Sequence, residues 1–354
     1  MKDQSQSVGD GATAYQTTGN ITIIGVSAGE ARQIALDVFQ ANMLQLQSEA
    51  VKTVRKRAEE ITDKFLLKLQ AENPAGIEKA RDPDFQDALF TVQKEHAKAG
   101  DTNLGDLLVD LLVDRSKTSH RDLVQLVLSE SIHTAPKLTS KQINTLSIVF
   151  FFRYVTNNNL RAIVHFAEFA FLTVGPLLDH FVHSSSTFAH LQFTGCGHRA
   201  LGSLALEEIW QRQYTGFFKI GFDENRLLLA NLQPSTRLAV IGQSMHDALK
   251  FQVKELTIAS LEARLKMLGN VPVDEQERVK ALFNEGTMDH AKIKEVILAA
   301  APFLADLLDS WRISGLGGFE LTSVGMAIGH ANIKRVIGEF APLSIWLDET
   351  TVAV

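Results

Sequence analysis

The chain has 354 residues, enough for two or three domains at roughly 100–200 residues each. Apolar residues make up 45% and charged residues 21%, the balance of a globular protein that buries real cores. A net charge of −6 excludes a global attraction to nucleic acid or anionic membrane, and the single cysteine, Cys196, excludes an internal disulfide and fits a cytoplasmic protein.

Residues 1–27 form the first expected unit, a polar β assembly segment. It runs from Gly9-Asp10 through Tyr15-Gln16 to Gly19-Asn20-Ile21-Thr22-Ile23-Ile24, and no apolar signal-peptide core precedes it. Ile21-Thr22-Ile23 alternates apolar and polar side chains as a half-buried strand does. A lone short strand is not stable in water. Gln16, Asn20, Ile21 and Ile23 are therefore the candidate oligomerisation residues, and the first expected partner is a second copy of this chain.

Ser27 with Glu30 reads as a capping box that opens a long helix over 28–73, stopped by Asn73-Pro74. At 1.5 Å per residue it is about 65 Å long. Its apolar positions from Phe39 through Met43, Leu46, Ala50, Val54, Ala58, Ile61 and Phe65 to Leu69 cover 30 residues in eight steps, a mean near 3.75. That spacing exceeds the 3.5 of a left-handed coiled coil and serves either a bundle between copies or packing on the body. Lys52, Arg55, Lys56 and Arg57 are followed by Glu59 and Glu60, and the interleaved acids make this a solvated, ion-paired face rather than a phosphate site.

Residues 74–270 are expected to be a helical body. Leu104, Leu107, Leu108, Leu111 and Leu112 share a helix face. Thr139 caps a helix from Ile143 to Val155 that is apolar nearly all round and belongs in a core. The run from Ile163 to Val182 is interrupted by His165, Glu168, Pro176, Asp179 and His180, so it reads as buried helix rather than a membrane span. Short strands are expected within 214–241, at Phe217–Phe222 and Arg237–Ile241. Residues 271–354 make a C-terminal winged-helix-like region. Here Phe319-Glu320-Leu321-Thr322-x-x-Gly325 resembles the strand, cap and last helix of a winged helix, with Gly325 allowing close packing.

Five of eleven histidines lie between positions 165 and 198. His180 and His183 with Cys196 and His198 are nominal donors for a zinc site, but neither pair has the spacing of a structural-zinc half-site. Cys196-Gly197-His198 offers a thiol near an imidazole, yet flanking glycines suggest a turn and no third group orients the base. Gly315-Leu316-Gly317-Gly318 lacks the Lys and Ser/Thr of a phosphate loop. No cofactor and no catalytic residue is assigned.

Three patterns together resemble a little-characterised bacterial family: Gly9-Asp10 with Gln16 and Gly19-Asn20-Ile21-Thr22-Ile23; Leu138-Thr139-x-Lys141-Gln142; and Leu321-Thr322-x-x-Gly325. The first is similar to N-terminal Gly/Asn/Gln segments in bacterial proteins linked to phage defence. The resemblance implies a cytosolic protein whose N-terminus assembles oligomers, and it carries over no active site. The expectation is a mainly α protein acting as a non-enzymatic homo-oligomeric sensor or effector, with another protein as a further partner. A winged-helix DNA-binding regulator and a membrane-active effector are the alternatives. The basic residues beside the winged-helix signature, Lys292, Lys294 and Arg312, are too few to favour DNA.

Overall fold

The computed structural model describes residues 26–41, 48–118 and 120–347. The fold is mainly α. Helices α1 (Ala28–Ala41), α2 (Ser48–Glu72), α3 (Pro83–Ala99), α4 (Thr102–Ser116), α5 (Leu123–Thr134) and α6 (Ser140–Tyr154) open the body. Helices α7 (Ile163–Leu178) and α8 (Ser185–Phe193), strand β1 (Gly197–Arg199) and helix α9 (Leu206–Gln213) follow. A smaller unit then holds α10 (Glu224–Leu229), α11 (Pro234–Val240), β2 (Ile241–Gln243), β3 (Phe251–Val253), α12 (Ile258–Leu268) and α13 (Val273–Asn284). The chain returns to the body through α14 (His290–Ala300), α15 (Ala305–Ser314), β4 (Phe319–Leu321), α16 (Ser323–Ile337) and α17 (Ser344–Leu347).

Local chemistry sets these boundaries. Ser27 and Glu30 form the expected box, with the Ser27 N–H donating to Glu30 Oε2 at 2.9 Å. Thr139 and Gln142 form a second box at the start of α6. Asp101 and Asp122 accept backbone N–H groups at the starts of α4 and α5. Each satisfies donors that a helix start otherwise leaves orphaned.

The single helix expected over 28–73 is two helices. Arg32 Nε lies 2.7 Å from Asp63 Oδ1. On one continuous helix the two residues would stand about 46 Å apart. Helix α1 therefore folds back on α2, and Gln93 of α3 ties them by donating to Ala35 O at 3.2 Å and Thr62 Oγ1 at 2.8 Å. Most of the apolar stripe is spent inside the chain: Phe39, Ala58, Ile61, Phe65 and Leu69 are buried and Val54 is half-buried, while Ala50 is exposed. Met43 and Leu46 lie outside the described residues. The basic stretch is the solvated face expected: Arg55 pairs with Glu59 and Lys56 with Glu60.

Helix α16 fills the middle of the body, against α4, α5, α6 and α7. Its closest approach is to α6, where a Cβ on Gly329 would stand 2.9 Å from Leu146 O. Asn332 Nδ2 donates to Ser147 Oγ across the same seam at 2.9 Å. Helix α6 is buried on every side from Leu146 to Phe152, as its composition demands.

The smaller unit has its own core, built on Leu227, Val240, Val253, Leu261, Leu265, Val279 and Phe283. The expected boundary between 270 and 271 falls inside this core, because α12 and α13 both contribute to it. The strands expected within 214–241 are displaced. Thr215–Phe218 is a 3-10 turn, Lys219 and Phe222 make single bridges to Thr287 and Phe251, and Arg237–Val240 ends α11. Pro234 in the first turn favours that helix, and only Ile241 begins a strand.

In the C-terminal region Thr322 Oγ1 accepts the Gly325 N–H at 3.2 Å. A Cβ on Gly325 would collide with the Cys196 carbonyl oxygen, so the close packing expected there is real. Strand β4 pairs antiparallel with β1, Gly197 opposite Leu321. A wing is instead a hairpin of sequence neighbours. Helices α14 and α15 are separated at Pro302, which lacks an N–H and disfavours helix before it.

Candidate functional site

The nominal metal donors do not converge, and among the described residues no three His, Cys, Asp or Glu side chains gather to hold an ion. The His180 carbonyl accepts from Asn144 Nδ2 at 3.1 Å, and the His183 ring lies against Phe181. Cys196 is fully buried beside Thr194, and burial pushes its thiol up. His198 is exposed on β1, with Nε2 3.5 Å from Glu320 Oε2. A buried thiol and an exposed imidazole make no nucleophile and base. Gln16, Asn20, Ile21 and Ile23 lie outside the described residues.

A cleft of about 610 Å³ opens where α2, α4 and α16 end, beside the start of α5 and under residues 338–344. Its floor is a ring of charges. Lys117 Nζ stands 2.8 Å from Glu72 Oε2 and 2.7 Å from Asp114 Oδ1. Lys334 Nζ stands 2.8 Å from each of the same two oxygens. Burial pushes the Glu72 carboxyl up, but the two ammonium groups outweigh it and hold it at about 2. Burial pulls Lys334 down, and Asp114 with Glu72 more than reverse that. Both lysines sit at helix C-termini, where the dipole favours a cation. His330 lines the cleft with its ring among Phe150, Phe340 and Trp346, and burial lowers its basicity. Its Nε2 lies 2.7 Å from the Ala341 carbonyl. Four charges balanced within the floor make a clamp between distant parts of the chain, without a nucleophile and its base.

A second buried charge lies at the join of the two cores. Lys219 is 4% exposed. Its Nζ donates to Thr287 Oγ1 at 2.7 Å and lies 5.2 Å from the Phe283 ring centre. Burial pulls the ammonium down to about 8. The lone charge in Phe217-Phe218-Lys219-Ile220 was the sequence signal for it. Glu72, Asp114, Lys117 and Lys334 offered none, because they meet only in three dimensions.

The apolar surface is unevenly spread. Of nineteen exposed large apolar side chains among the described residues, nine fall between Ile220 and Val273. One groove in this unit, about 420 Å³, runs between α11 and β2, lined by Pro234, Arg237, Leu238, Ile241, Gly242, Gln243 and Phe251.

A family model matches residues 25–347, and the chain belongs to that family. Residues 1–24 lie outside that match. No curated protein and no solved structure matches the chain.

Proposed function

We propose, from the premise that this chain belongs to the family matched over residues 25–347, that it is a non-enzymatic homo-oligomeric sensor or effector working through protein contacts. One observation carries the reading: nine of the nineteen exposed large apolar side chains among the described residues fall between Ile220 and Val273, in the small unit between α9 and α14. Contiguous exposed apolar surface marks interaction sites, and the groove lined by Leu238, Ile241 and Phe251 lies within this stretch. The N-terminal segment is the assembly device, with Gln16, Asn20, Ile21 and Ile23 as its contact residues. Val26, the first described residue, is buried, and its N–H donates to Glu78 Oε1 at 3.0 Å, so the segment leaves the body from a fixed point.

Light scattering on the full chain and on a variant beginning at Val26 tests this. The expected result is a discrete oligomer that falls to monomer mass when residues 1–25 are removed. The same mass for both discards the reading. Its cellular setting, cytoplasmic anti-phage defence, rests on the resemblance of the first residues alone. Plating efficiency of phage on bacteria expressing the protein is expected to fall, and an unchanged efficiency across a phage panel removes that setting.

The alternatives have less support. Lys292, Lys294 and Arg312 are each paired with Glu295 or Asp309, which leaves little cationic field for DNA. Among the described residues no helix is long and apolar enough to cross a membrane. Phe150 is fully buried, and α7 buries Ala170, Val174 and Leu177 while exposing Phe171 and Leu172.

A further inference from the structure

We propose that the outer edge of β2 accepts residues 19–24 of a second copy, which add to it as a strand. The inference rests on the self-association reading and names the surface that receives the segment. The bonds flanking the β2–β3 ladder run from Ser244 N to Lys250 O and from Lys254 N to Val240 O, both at 2.9 Å. Bonded positions alternate along an antiparallel pair. Gly242 therefore faces its partner Gln252. Ile241 and Gln243 turn their backbone groups the other way. The Ile241 N–H already donates to Arg237 O, which leaves the Ile241 carbonyl and the Gln243 N–H and carbonyl on the outer edge. The far edge of β3 is taken, since Phe222 and Phe251 exchange two bonds of 2.8 Å. An open edge of this kind is a template for strand addition.

The groove beside the edge suits the segment. Leu238, 79% exposed, stands with Ile241 and Phe251 along it. Ile21 and Ile23 fall on one side of an extended Ile21-Thr22-Ile23, the spacing that sets alternate side chains into one groove. Only two residues lie between Ile23 and Val26, three steps or about 10 Å of extended chain. Val26 packs with Ala31 and Ala80, in a core that shares no residue with the β2–β3 unit. The tether is short and starts elsewhere, so the edge it reaches belongs to another copy. Each copy then offers one segment and one edge, which closes on itself in a reciprocal two-fold pair or runs on as a ring or filament.

The test measures particle mass against concentration for the full chain and for Ile23→Asp, Leu238→Asp and Gln243→Pro. Each variant is expected to raise the dissociation concentration at least tenfold. Leu238→Asp, at a surface position, is expected to keep the parental melting temperature. Separately purified Ile23→Cys and Leu238→Cys chains, mixed and oxidised, are expected to form a disulfide between chains, with native Cys196 shielded by burial. Loss of assembly with Ile23→Asp but not with Leu238→Asp or Gln243→Pro overturns the edge and leaves self-association standing. Full mass for all three variants overturns both. A disulfide that forms only within a chain carrying both cysteines overturns the second copy as donor.

Discussion

Lys219 shows how a single residue can be held at a cost. Its ammonium has one hydroxyl and one ring for company, and no carboxylate pairs with it among the described residues. Its folded pKa is about 8 against an ordinary 10.5. Between those values the unfolded chain binds the extra proton, so this group's contribution to stability rises as pH climbs from 8 to 10.5. Below pH 8 the full cost of the buried charge is present. Lys219→Met is therefore expected to stabilise the protein at pH 7 by roughly 1–3 kcal/mol, because an apolar isostere often outperforms a poorly compensated buried charge. Thermal denaturation at pH 7 and pH 10.5 checks this. The gain should shrink at the higher pH, and a variant no more stable at pH 7 would contradict the account.

At the scale of elements, two helices meet only because one residue has no side chain. Gly329 brings α16 to within reach of the Leu146 carbonyl, and an added methyl would meet that carbonyl and the Phe150 Cβ. Gly329→Ala is expected to cost about 1–3 kcal/mol, the usual range for overpacking. Gly202→Ala is the matched control, since a Cβ there meets nothing within 4 Å. Urea denaturation of the two variants separates them, and equal midpoints would deny that the seam is tight. Elements whose causes are local were legible in the sequence: the box at Ser27–Glu30, the caps at Thr139 and Thr322, and the buried α6. The fold-back of α1 on α2 was not. Phe39 to Leu69 has the same periodicity on a rod as on a hairpin, and Arg32 with Asp63 reveals the turn only once both are placed. The β1–β4 pair was hidden for a related reason, since 120 residues separate Gly197 from the strand that completes it.

The whole molecule is tied together by the ring under the cleft. Glu72 and Asp114 belong to the first third of the chain and Lys334 to its end. Glu72 has a folded pKa of about 2 against 4.5. The stability this brings is complete above pH 4.5 and is lost as pH falls through the interval down to 2. Glu72→Gln is expected to cost about 1–3 kcal/mol at pH 7, less than the 3–5 of a fully buried pair because the site is partly exposed. The variant should also lose less stability than the parent between pH 4.5 and 2. Chemical denaturation across that range measures both, and parallel pH curves for parent and variant would remove Glu72 from the clamp. Nothing in the sequence marked this site, because Lys117 and Lys334 each look like an ordinary helix-ending lysine until a third helix brings both to one carboxylate.

The central position of α16 sets a schedule for biosynthesis. Helices α4, α5 and α6 are made long before α16, the helix that covers their inward faces. About 180 residues separate the end of α6 from the end of α16, which at 5–20 residues per second is roughly 10–40 s of elongation. Through that interval the nascent body carries Phe150 and its neighbours without their lid, while the unit between α9 and α14 acquires every residue of its own core before α16 is made. The smaller unit can thus close on the ribosome while the larger one still waits for α16.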